Sequence, residues 1–445
     1  MFATLILGAG PGGTGPLIHA AQAGLLDAWL ARGIAIVERN KHFGGTIGRY
    51  VVNSDSLGGV YLECLASSGL RDRAAALARE YNTNEIRRHA SGFPPLPLVG
   101  AWFDSLGGLL EHWIATSETS VALTETEARS LRLRRNGTVE LAAIREGQPL
   151  TLRARTAILA LGGQPQTPPA QIVRIIARTD PSRVIQSDAL LTAEGMSRAH
   201  AMLSGRKSPR VVILGGSHSA YSAAWLLLSM LSRIPFNEAA ISILCRKEPR
   251  IYYPSRAEAD AEAYAFAEED VCPRTGRVNR MAGLRGDGRE LWRAMNGRKH
   301  AAEKRVVSVP RLSDTSFVAS EIGKADLVIP AFGYVARTLP IFGLDGERFT
   351  LRAEQGGVAV DDQARLVLAD GTALPNIFGI GLGHGFHPSG VMGGEPSFRG
   401  QANSLWLYQN HIGARVLASV QTCIEKDAAR ANVRFGAAQE LPITS

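Results

Sequence analysis

A glycine pattern near the amino terminus has the spacing of a dinucleotide-binding loop. Gly8, Gly10 and Gly13 follow one another as Gly-x-Gly-x-x-Gly, and Gly12 lies inside the same run. In such a loop the first glycine allows a tight turn, the second lets the backbone approach a pyrophosphate, and the third lets a helix pack against a strand. Glu38 follows, and its carboxylate can accept hydrogen bonds from both hydroxyls of a ribose. These residue types predict a dinucleotide site.

The segments around this loop are the ones that its mechanism requires. Residues 2–7 are apolar and predict a buried strand, residues 17–31 have a helical pattern, and residues 34–37 predict a second strand that ends at Glu38. The amino terminus of the helix would point at the phosphates. A glycine run alone is weak support, but strand, loop, helix, strand and acid in this order favour a Rossmann-like unit over a glycine-rich turn without a ligand.

A second loop of similar design lies near the middle of the chain. It reads Gly215-Gly-Ser217-His-Ser219-Ala220 and lies between an apolar run at residues 211–214 and a helical pattern. Alanine is tolerated at the third glycine position, but serine at the second departs from the pattern because its side chain would crowd a pyrophosphate. The favoured interpretation is a second dinucleotide site, and a vestigial domain is the alternative.

Basic residues end the second strand of this unit. Residues 241–244 predict that strand, and Arg246 and Lys247 follow where the first unit has its acid. An arginine can form paired, charge-assisted hydrogen bonds to a phosphate. The two cations therefore predict NADPH, with its additional ribose phosphate, rather than NADH.

Alternating polar and apolar residues between the two units predict a small antiparallel insert, with a hairpin turn at Asn136-Gly137. Its strands are predicted at residues 121–123, 130–134, 139–145 and 150–155. Three later apolar runs each close on glycine, at Gly162, Gly333 and Gly381. A glycine at the end of a strand allows a close approach of the backbone to a ligand.

The composition is that of an ordinary globular protein. The chain has 445 residues, enough for two or three domains, and 45% of them are hydrophobic. Its formal net charge is +8, but lysine and arginine are dispersed among acids, which argues against a nucleic-acid partner. No targeting segment precedes the first predicted strand, and no apolar run is long enough to span a bilayer. We therefore expect a cytoplasmic protein with no membrane partner, and a homo-oligomer stays open.

The cysteines and histidines do not form a metal or redox motif. The cysteines lie far apart, and no Cys-x-x-Cys pair occurs, which excludes a zinc ribbon and a redox disulfide of the local type. They are Cys64, Cys245, Cys272 and Cys423. His384 and His387 lack a third ligand at metal-binding spacing, so no metal site is predicted.

Together these features resemble the flavoprotein superfamily with two dinucleotide-binding domains, which includes flavin monooxygenases, N-hydroxylases and pyridine nucleotide-disulfide reductases. The resemblance spans most of the chain and implies an α/β fold with two Rossmann-like three-layer domains, the NAD(P)H domain being inserted into the FAD domain. It implies an FAD domain in residues 1–170 and 341–445, the latter ending in a C-terminal tail, and an NAD(P)H domain in residues 171–340.

Three glycine-ended strands resemble segments of this superfamily. The strand before Gly162 resembles the segment that links the two domains, and residues 331–333 resemble its second copy. The strand before Gly381 resembles the closing segment that packs beside the flavin. Leu382 replaces the aspartate that usually follows this glycine and binds the ribityl chain.

The branch that the chain resembles most is that of the NADPH-dependent flavin monooxygenases and N-hydroxylases. Disulfide reductases need the cysteine pair that the chain lacks. The segment after Glu38 resembles one whose paired glycines pass close to the isoalloxazine, although Ile47 replaces a tryptophan that often occurs there. The residues of this segment that the resemblance assigns to FAD binding are Arg39, Gly44, Gly45 and Thr46.

Two further segments support this branch. Ser217-His-Ser219-Ala220 resembles the Gly-x-Ser-Ala of the NADPH turn, and His384-Gly385 followed by Arg399 resembles the carboxy-terminal segment of N-hydroxylases. The FxGxxxHxxx(Y/F) fingerprint of flavin-containing and Baeyer-Villiger monooxygenases is absent from the sequence.

The resemblance implies an FAD-dependent oxidoreductase in which NADPH reduces FAD and oxygen then forms a flavin hydroperoxide that oxygenates a small molecule. Hydroxylation of an amine nitrogen is the favoured reaction. The alternative is an FAD-dependent dehydrogenase or oxidase with a degenerate nicotinamide domain, and a non-enzymatic NAD(P) sensor comes third. No catalytic residue is predicted. Asn53, His384 and His387 are candidates for polar groups at the substrate pocket, with turn or loop scaffolding as the alternative.

Overall fold

Strands and helices alternate along most of the chain. The computed structural model describes residues 1–297, 307–308, 314–354, 357–388 and 390–438. Its strands are β1 (Phe2–Leu7), β2 (Ile34–Val37), β3 (Val121–Leu123), β4 (Thr126–Leu133), β5 (Val139–Arg145), β6 (Gln148–Leu159), β7 (Gly163–Pro165), β8 (Val211–Leu214), β9 (Ile241–Leu244), β10 (Val307–Ser308), β11 (Leu327–Pro330), β12 (Tyr334–Ala336), β13 (Ile341–Phe342), β14 (Ala353–Glu354), β15 (Gly357–Ala359), β16 (Arg365–Val367), β17 (Ala373–Gly379) and β18 (His384–Gly385).

The helices lie between these strands and at the carboxyl end of the described chain. They are α1 (Pro11–Gln22), α2 (Leu26–Ala31), α3 (Gly58–Leu62), α4 (Ser68–Arg71), α5 (Tyr81–Arg88), α6 (Leu96–Ala115), α7 (Ala170–Ile176), α8 (Ser187–Leu190), α9 (Ala193–Leu203), α10 (His218–Met230), α11 (Arg256–Ala261), α12 (Gly286–Met295), α13 (Thr315–Lys324), α14 (Leu405–Gln409) and α15 (His411–Ala438). No helix of the described residues is both long and apolar enough to cross a membrane.

The larger sheet is built around β1. Its parallel part has the order β17-β6-β1-β2-β3, with Leu5 of β1 between Ala157 of β6 and Ala35 of β2. Every residue of β1 after Phe2 is buried, as expected for a parallel strand covered on both faces. Strands β4 and β5 add an antiparallel hairpin to the amino-terminal half of β6.

Different layers cover the two faces of this sheet. Helices α1, α2, α6 and α15 pack on one face, where Ile18, Trp102 and Val416 are buried in one apolar cluster. The antiparallel strands help to cover the other face, where Leu131 and Leu141 pack with Leu5. The sheet is therefore the middle of three layers, one helical and one made of strands.

The smaller sheet has the order β10-β9-β8-β11, and all its strand pairs are parallel. Helices α10 and α12 pack on one face, around Tyr221 and Leu291. Helices α7 and α13 pack on the other face, around Ile172 and Val318. This is the three-layer arrangement of a Rossmann-like domain, and it confirms the predicted α/β fold class.

Two short strands lie in the chain segments that connect the two sheets. Strand β7 enters the segment that contains the smaller sheet, and β12 leaves it, with Gln164 opposite Val335 in an antiparallel pair. After β12 the chain returns to the larger sheet through β13 and β17. The smaller unit is therefore inserted into the larger one, as the resemblance implies. The limits at residues 170 and 340 stay a prediction.

Two local predictions are wrong. Residues 121–123 were expected in the antiparallel insert, but β3 pairs in parallel with β2, with Ala122 opposite Ile36. The 20-residue helix α6 precedes β3, and a helical crossover places the next strand parallel. The helix expected at residues 17–31 is two helices, because the chain turns at Gly24, where φ is +70°.

Candidate functional site

The first glycine loop has the geometry that its sequence predicts. Gly8 has φ +99°, a conformation that glycine adopts without strain. A Cβ on Gly13 would collide with the carbonyl oxygen of Gly8, so helix and strand pack without room for any side chain. Gly10 is the N-cap of α1, and no side chain caps this end of the helix. Backbone N–H groups at such an end can bind an anion.

Glycines from two other segments meet the first loop at this helix end. A Cβ on Gly12 would lie 2.9 Å from the Cα of Gly381, and a Cβ on Gly45 would lie 3.4 Å from the Cα of Gly10. Gly44 has φ +115°, and its N–H donates to the carbonyl oxygen of Ala9 at 3.0 Å. These contacts form a groove walled by backbone, and the groove fits a pyrophosphate that must approach backbone N–H groups closely.

Glu38 is fixed at the edge of this groove. It is only 5% exposed, and its Oε2 accepts a hydrogen bond from the Ala9 N–H at 2.8 Å. Its Oε1 accepts from the backbone and side-chain amides of Asn40 at 2.9 and 2.7 Å. Each carboxylate oxygen has two lone pairs, so Oε2 keeps acceptor capacity for a ribose hydroxyl. Arg39 and Thr46 are exposed beside it, and their role in FAD binding stays a prediction.

The segments that end at Gly162 and Gly381 follow β6 and β17, which are parallel neighbours in the larger sheet, and the role of these glycines in FAD binding stays a prediction. Gly162 has φ +71°, and a Cβ there would have no neighbour within 4 Å. A Cβ on Gly163, in contrast, would reach the side chain of Leu382. Leu382 therefore lies over the start of β7 and offers no hydrogen-bonding group in place of the superfamily's aspartate.

The second glycine loop differs from the first at its helix cap. Gly215 has φ +136°, and a Cβ there would collide with the carbonyl oxygen of Ala331. Ser217 is the N-cap of α10 with φ −116° and ψ −171°, an extended conformation open to any residue. Its side chain is exposed and caps no N–H of the helix. Ser219 is half-buried in the first turn, and Ala220 is fully buried at the third position.

The side of the second loop that faces β9 is basic. Arg246 and Lys247 follow Cys245 directly at the end of β9, and both are exposed. A Cβ on Gly216 would lie 2.5 Å from the Cβ of Cys245, which places the end of β9 against the loop. The two cations therefore follow directly on a residue that contacts the loop, and their role in binding NADPH stays a prediction.

The sequence did not single out His218, the first residue of α10. Its Nε2 is buried and has no hydrogen-bond partner among the described atoms. Burial lowers the pKa of the imidazole, and the Asp55 carboxylate opposes this effect only in part. The position aligns with Pro11 of the first loop, so the comparison of the two loops could have drawn attention to it.

His384 does not line an open pocket, contrary to its prediction as a pocket residue. It lies in β18 opposite Val358 of β15 and is 1% exposed. Its ring packs against Gly379 at the end of β17, because β18 turns this side chain toward the sheet. Burial lowers the pKa of the imidazole to about 4, so the ring is neutral at physiological pH.

The other two pocket candidates lie in different places. Asn53 is exposed, and its side-chain amide donates to Oδ1 of Asp287 at 3.0 Å, at the start of α12. His387 is exposed on the rim of a cavity, with Nε2 3.1 Å from a carboxylate oxygen of Glu354. The structure therefore does not bring Asn53, His384 and His387 into one pocket.

The cavity at His387 has a volume of about 710 Å³ and lies between two segments distant in sequence. One side belongs to the inserted unit and the other to the loop after β18. The lining residues are Pro273, Arg274, His387, Pro388, Gly390, Gly393, Gly394, Glu395, Pro396, Phe398 and Arg399. Of these, the sequence had pointed to His387 and Arg399 alone.

The cysteines take no part in these sites as a pair. All four lie among the described residues, and none forms a disulfide. Nor do the described residues contain a group of three or more His, Cys, Asp or Glu side chains that could hold a metal ion.

Comparison with known proteins identifies the family. No protein-family model matches the chain. A curated relative from Streptomyces rubellomurinus, CMP-5'-(3-aminopropyl)phosphonate hydroxylase, is 34% identical over 434 residues, which cover 94% of this chain and 97% of the relative.

Solved structures share the fold over the full chain. The ornithine N-hydroxylase of Kutzneria sp. 744, with reduced FAD, NADP⁺ and L-ornithine, has a TM-score of 0.56 at 14% identity and covers 95% of this chain and 99% of its own. The FAD-bound cadaverine monooxygenase of Erwinia amylovora has a TM-score of 0.59 at 12% identity and covers 94% of each chain. The chain therefore belongs to the family of this hydroxylase, and it shares its two-domain fold with flavin-dependent N-hydroxylases.

Proposed function

We propose that the protein hydroxylates the primary amine nitrogen of a small molecule that carries a phosphate or phosphonate. The observation that carries this proposal is the 34% identity, over nearly the full length of both chains, to the CMP-5'-(3-aminopropyl)phosphonate hydroxylase. The aminopropyl group of that relative's substrate offers one nucleophilic nitrogen, and its phosphonate is joined to a nucleotide. The substrate proposed for this chain has the same two parts, a terminal amine and an anionic phosphorus group.

Residues 1–170 and 341–445 would hold FAD. The groove between Gly10, Gly45 and Gly381 is lined mainly by backbone and faces the uncapped end of α1, which suits a pyrophosphate. Glu38 would accept a hydrogen bond from the ribose. When bound, FAD takes two electrons from NADPH and supplies the oxygen chemistry that no side chain can provide.

Residues 171–340 would hold NADPH at the corresponding end of α10. The exposed hydroxyl of Ser217, the N-cap, can donate to a phosphate oxygen. Arg246 and Lys247 would bind the 2'-phosphate. The inserted unit meets the larger one at a hydrogen bond from Asn53 to Asp287.

Oxygen would be the second substrate of the reaction. One amine, one O₂, one NADPH and one proton would give one hydroxylamine, one NADP⁺ and one water. We place this reaction in the cytoplasm, and the four cysteines without a disulfide agree with a reducing compartment. The two glycine loops would provide one FAD site and one NADPH site in the same chain.

The test uses the purified FAD-loaded protein, NADPH and a set of amines. Anaerobic NADPH should bleach the flavin absorbance, and air should restore it. With oxygen, 3-aminopropylphosphonate and its CMP adduct should give hydroxylamines, detected by mass spectrometry as products one oxygen atom heavier. Ornithine and cadaverine, which lack phosphorus, serve as comparison amines and should react more slowly.

Two results would contradict the proposal. If every NADPH oxidised yields one hydrogen peroxide even with each amine present, the protein acts as an oxidase. If NADPH does not bleach the flavin but an amine does so without oxygen, the protein is a dehydrogenase and the second loop is vestigial.

A further inference from the structure

The cavity near residues 273–274 and 387–399 is lined by two arginines. Arg274 comes from the inserted unit and Arg399 from the loop after β18, so each side of the cavity contributes one permanent cation. Both side chains are exposed to the cavity or its mouth. Arg274 is positioned by aromatic neighbours, with its guanidinium 5.7 Å from the ring centre of Trp406 and 3.5 Å from Nε2 of His411.

Among the described residues that line the cavity, the one carboxylate is that of Glu395, and its hydrogen bonds go to backbone rather than to either arginine. Glu395 is only 3% exposed. Its oxygens accept hydrogen bonds from the backbone N–H groups of Met281 at 2.9 and 3.0 Å and of Ala282 at 2.9 Å. The carboxylate therefore accepts hydrogen bonds from the backbone of the opposite segment. Among the described lining residues, two arginines therefore stand against one buried carboxylate, which favours an anionic ligand.

The cavity wall is held rigidly by contacts between the same two segments. Arg280 donates from Nη1 to the carbonyl oxygen of Met392 at 2.8 Å, and the Gly394 N–H donates to Sγ of Cys272 at 3.2 Å. Arg250 donates to Oγ of Ser397 at 2.6 Å. A wall fixed before binding loses less conformational entropy when a ligand arrives.

The cavity also lies close in the chain to the proposed FAD groove. His387 on its rim follows Gly381 of the groove by six residues, so the two backbone positions are at most about 22 Å apart. A volume of about 710 Å³ lies in the range that accepts a ligand of nucleotide size and exceeds what a single inorganic ion needs.

From these observations we infer that this cavity binds the phosphate or phosphonate end of the substrate, with Arg274 and Arg399 as its ligands on opposite walls. The inference rests on the proposed function, in that the substrate is an amine carrying an anionic phosphorus group. Arginine suits this role because its planar guanidinium forms paired hydrogen bonds to phosphate oxygens. The amine end would then extend from the cavity toward the groove.

The test measures binding of CMP, as a probe of the anionic end, by titration calorimetry. The FAD-loaded protein is first saturated with NADP⁺, so that the second glycine loop cannot bind the probe. CMP should bind the wild type, while cytidine, which lacks the phosphate, should bind at least tenfold more weakly. Arg274→Gln and Arg399→Gln should each weaken CMP binding by tenfold or more, without changing the weak binding of cytidine.

The matched control is Arg129→Gln, which makes the same change of charge on β4, where Arg129 pairs with Glu127 at 2.8 Å. It should bind CMP as the wild type does. Unchanged flavin absorbance and melting temperature in all three variants would show that the fold is intact. Unchanged CMP affinity in both cavity variants would overturn the inference, and so would a wild type that no longer binds CMP once NADP⁺ is present.

The binding test separates this inference from the proposed reaction. If CMP binding depends on both arginines but no amine yields a hydroxylamine, the anion site stands and the proposed reaction fails. If the CMP adduct is hydroxylated with the same KM in wild type and both variants, the reaction stands and the anion site fails. A raised KM with little change in kcat supports both.

Discussion

The two glycine loops of this protein have the same backbone at their helix caps and different side chains. Gly10 caps α1 with φ −75° and ψ −174°, and Ser217 caps α10 with φ −116° and ψ −171°. Both are extended conformations that any residue adopts, so neither position needs glycine for its backbone. The glycine at position 10 is therefore explained by the space it leaves, and the serine at position 217 shows that the second loop works with less of that space.

The third position of each loop shows a second difference. A Cβ on Gly13 would collide with the Gly8 carbonyl, whereas Ala220 carries a real Cβ that is completely buried. Helix α1 therefore lies closer to its strand than α10 does to its own. The end of α1 also lies against backbone from other segments, at Gly45 and Gly381.

The largest expected effect comes from filling the space beside Gly10. A Cβ at this position would meet only the Cα of Gly45, at 3.7 Å, so the protein itself accommodates a side chain. Gly10→Val should nevertheless abolish FAD binding, because the branched side chain would occupy the site of the pyrophosphate. Flavin absorbance of the purified variant after dialysis against FAD measures this loss.

Ser217→Val is the reciprocal control. It should leave one FAD per chain and reduce NADPH binding, since the valine occupies the corresponding space in the second loop. Full flavin content in Gly10→Val, or loss of flavin in Ser217→Val, would remove the distinction between the two loops.

The next largest effect is expected on the free energy of unfolding of the flavin-free protein. Gly13→Ala should destabilise the protein by about 1–3 kcal/mol, because its methyl group overpacks a backbone contact that cannot move freely. Ala220→Gly in the second loop should cost about 1 kcal/mol, from helix propensity and a small void. Thermal unfolding of flavin-free protein compares the two, and an Ala220→Gly protein that melts below Gly13→Ala would contradict the packing argument.

The sequence predicts these loops well for a physical reason. Residues 2–7, 34–37, 211–214 and 241–244 are all strands with the predicted bounds, because parallel strands covered on both faces need continuous apolar runs. The glycines add local constraints that can be read without a partner segment. Most of the nucleotide-binding framework is therefore encoded in short stretches of sequence.

The cavity and the long-range contacts that form it could not be predicted from local sequence in the same way. Glu395 bonds to the backbone at Met281 and Ala282, more than a hundred positions away in sequence, and no local pattern indicates that pairing. His384 was misplaced because its direction depends on the pairing of β18 with β15, a strand of three residues. Long-range contacts through irregular loops leave no periodic signal.

A smaller effect is expected from the charges that distinguish the two ribose sites. Arg246→Ala should weaken NADPH binding about tenfold to a hundredfold, because it removes charge-assisted hydrogen bonds to the 2'-phosphate. Lys247→Ala should have a similar but smaller effect, while NADH binding and flavin content stay constant in both variants. Steady-state flavin reduction at varied coenzyme concentration measures the change.

Arg174→Ala, on the exposed side of α7 in the same unit, is the charge-matched control and should behave as wild type. Equal rates with NADH and NADPH in the unchanged protein would show that the basic end of β9 does not select the coenzyme.

The smallest effect, at Ser217, decides whether the serine crowds the pyrophosphate or binds it. Its hydroxyl is exposed and makes no cap bond to α10, so it is available to donate to a phosphate oxygen. We therefore expect Ser217→Ala and Ser217→Gly to weaken NADPH binding alike, by about two- to tenfold, the loss of one hydrogen bond. If crowding dominated instead, Ser217→Gly would bind NADPH more tightly than wild type while Ser217→Ala would not. Fluorescence titration of NADPH onto the oxidised protein distinguishes these outcomes, and unchanged flavin content in both variants would confine the effect to the second loop.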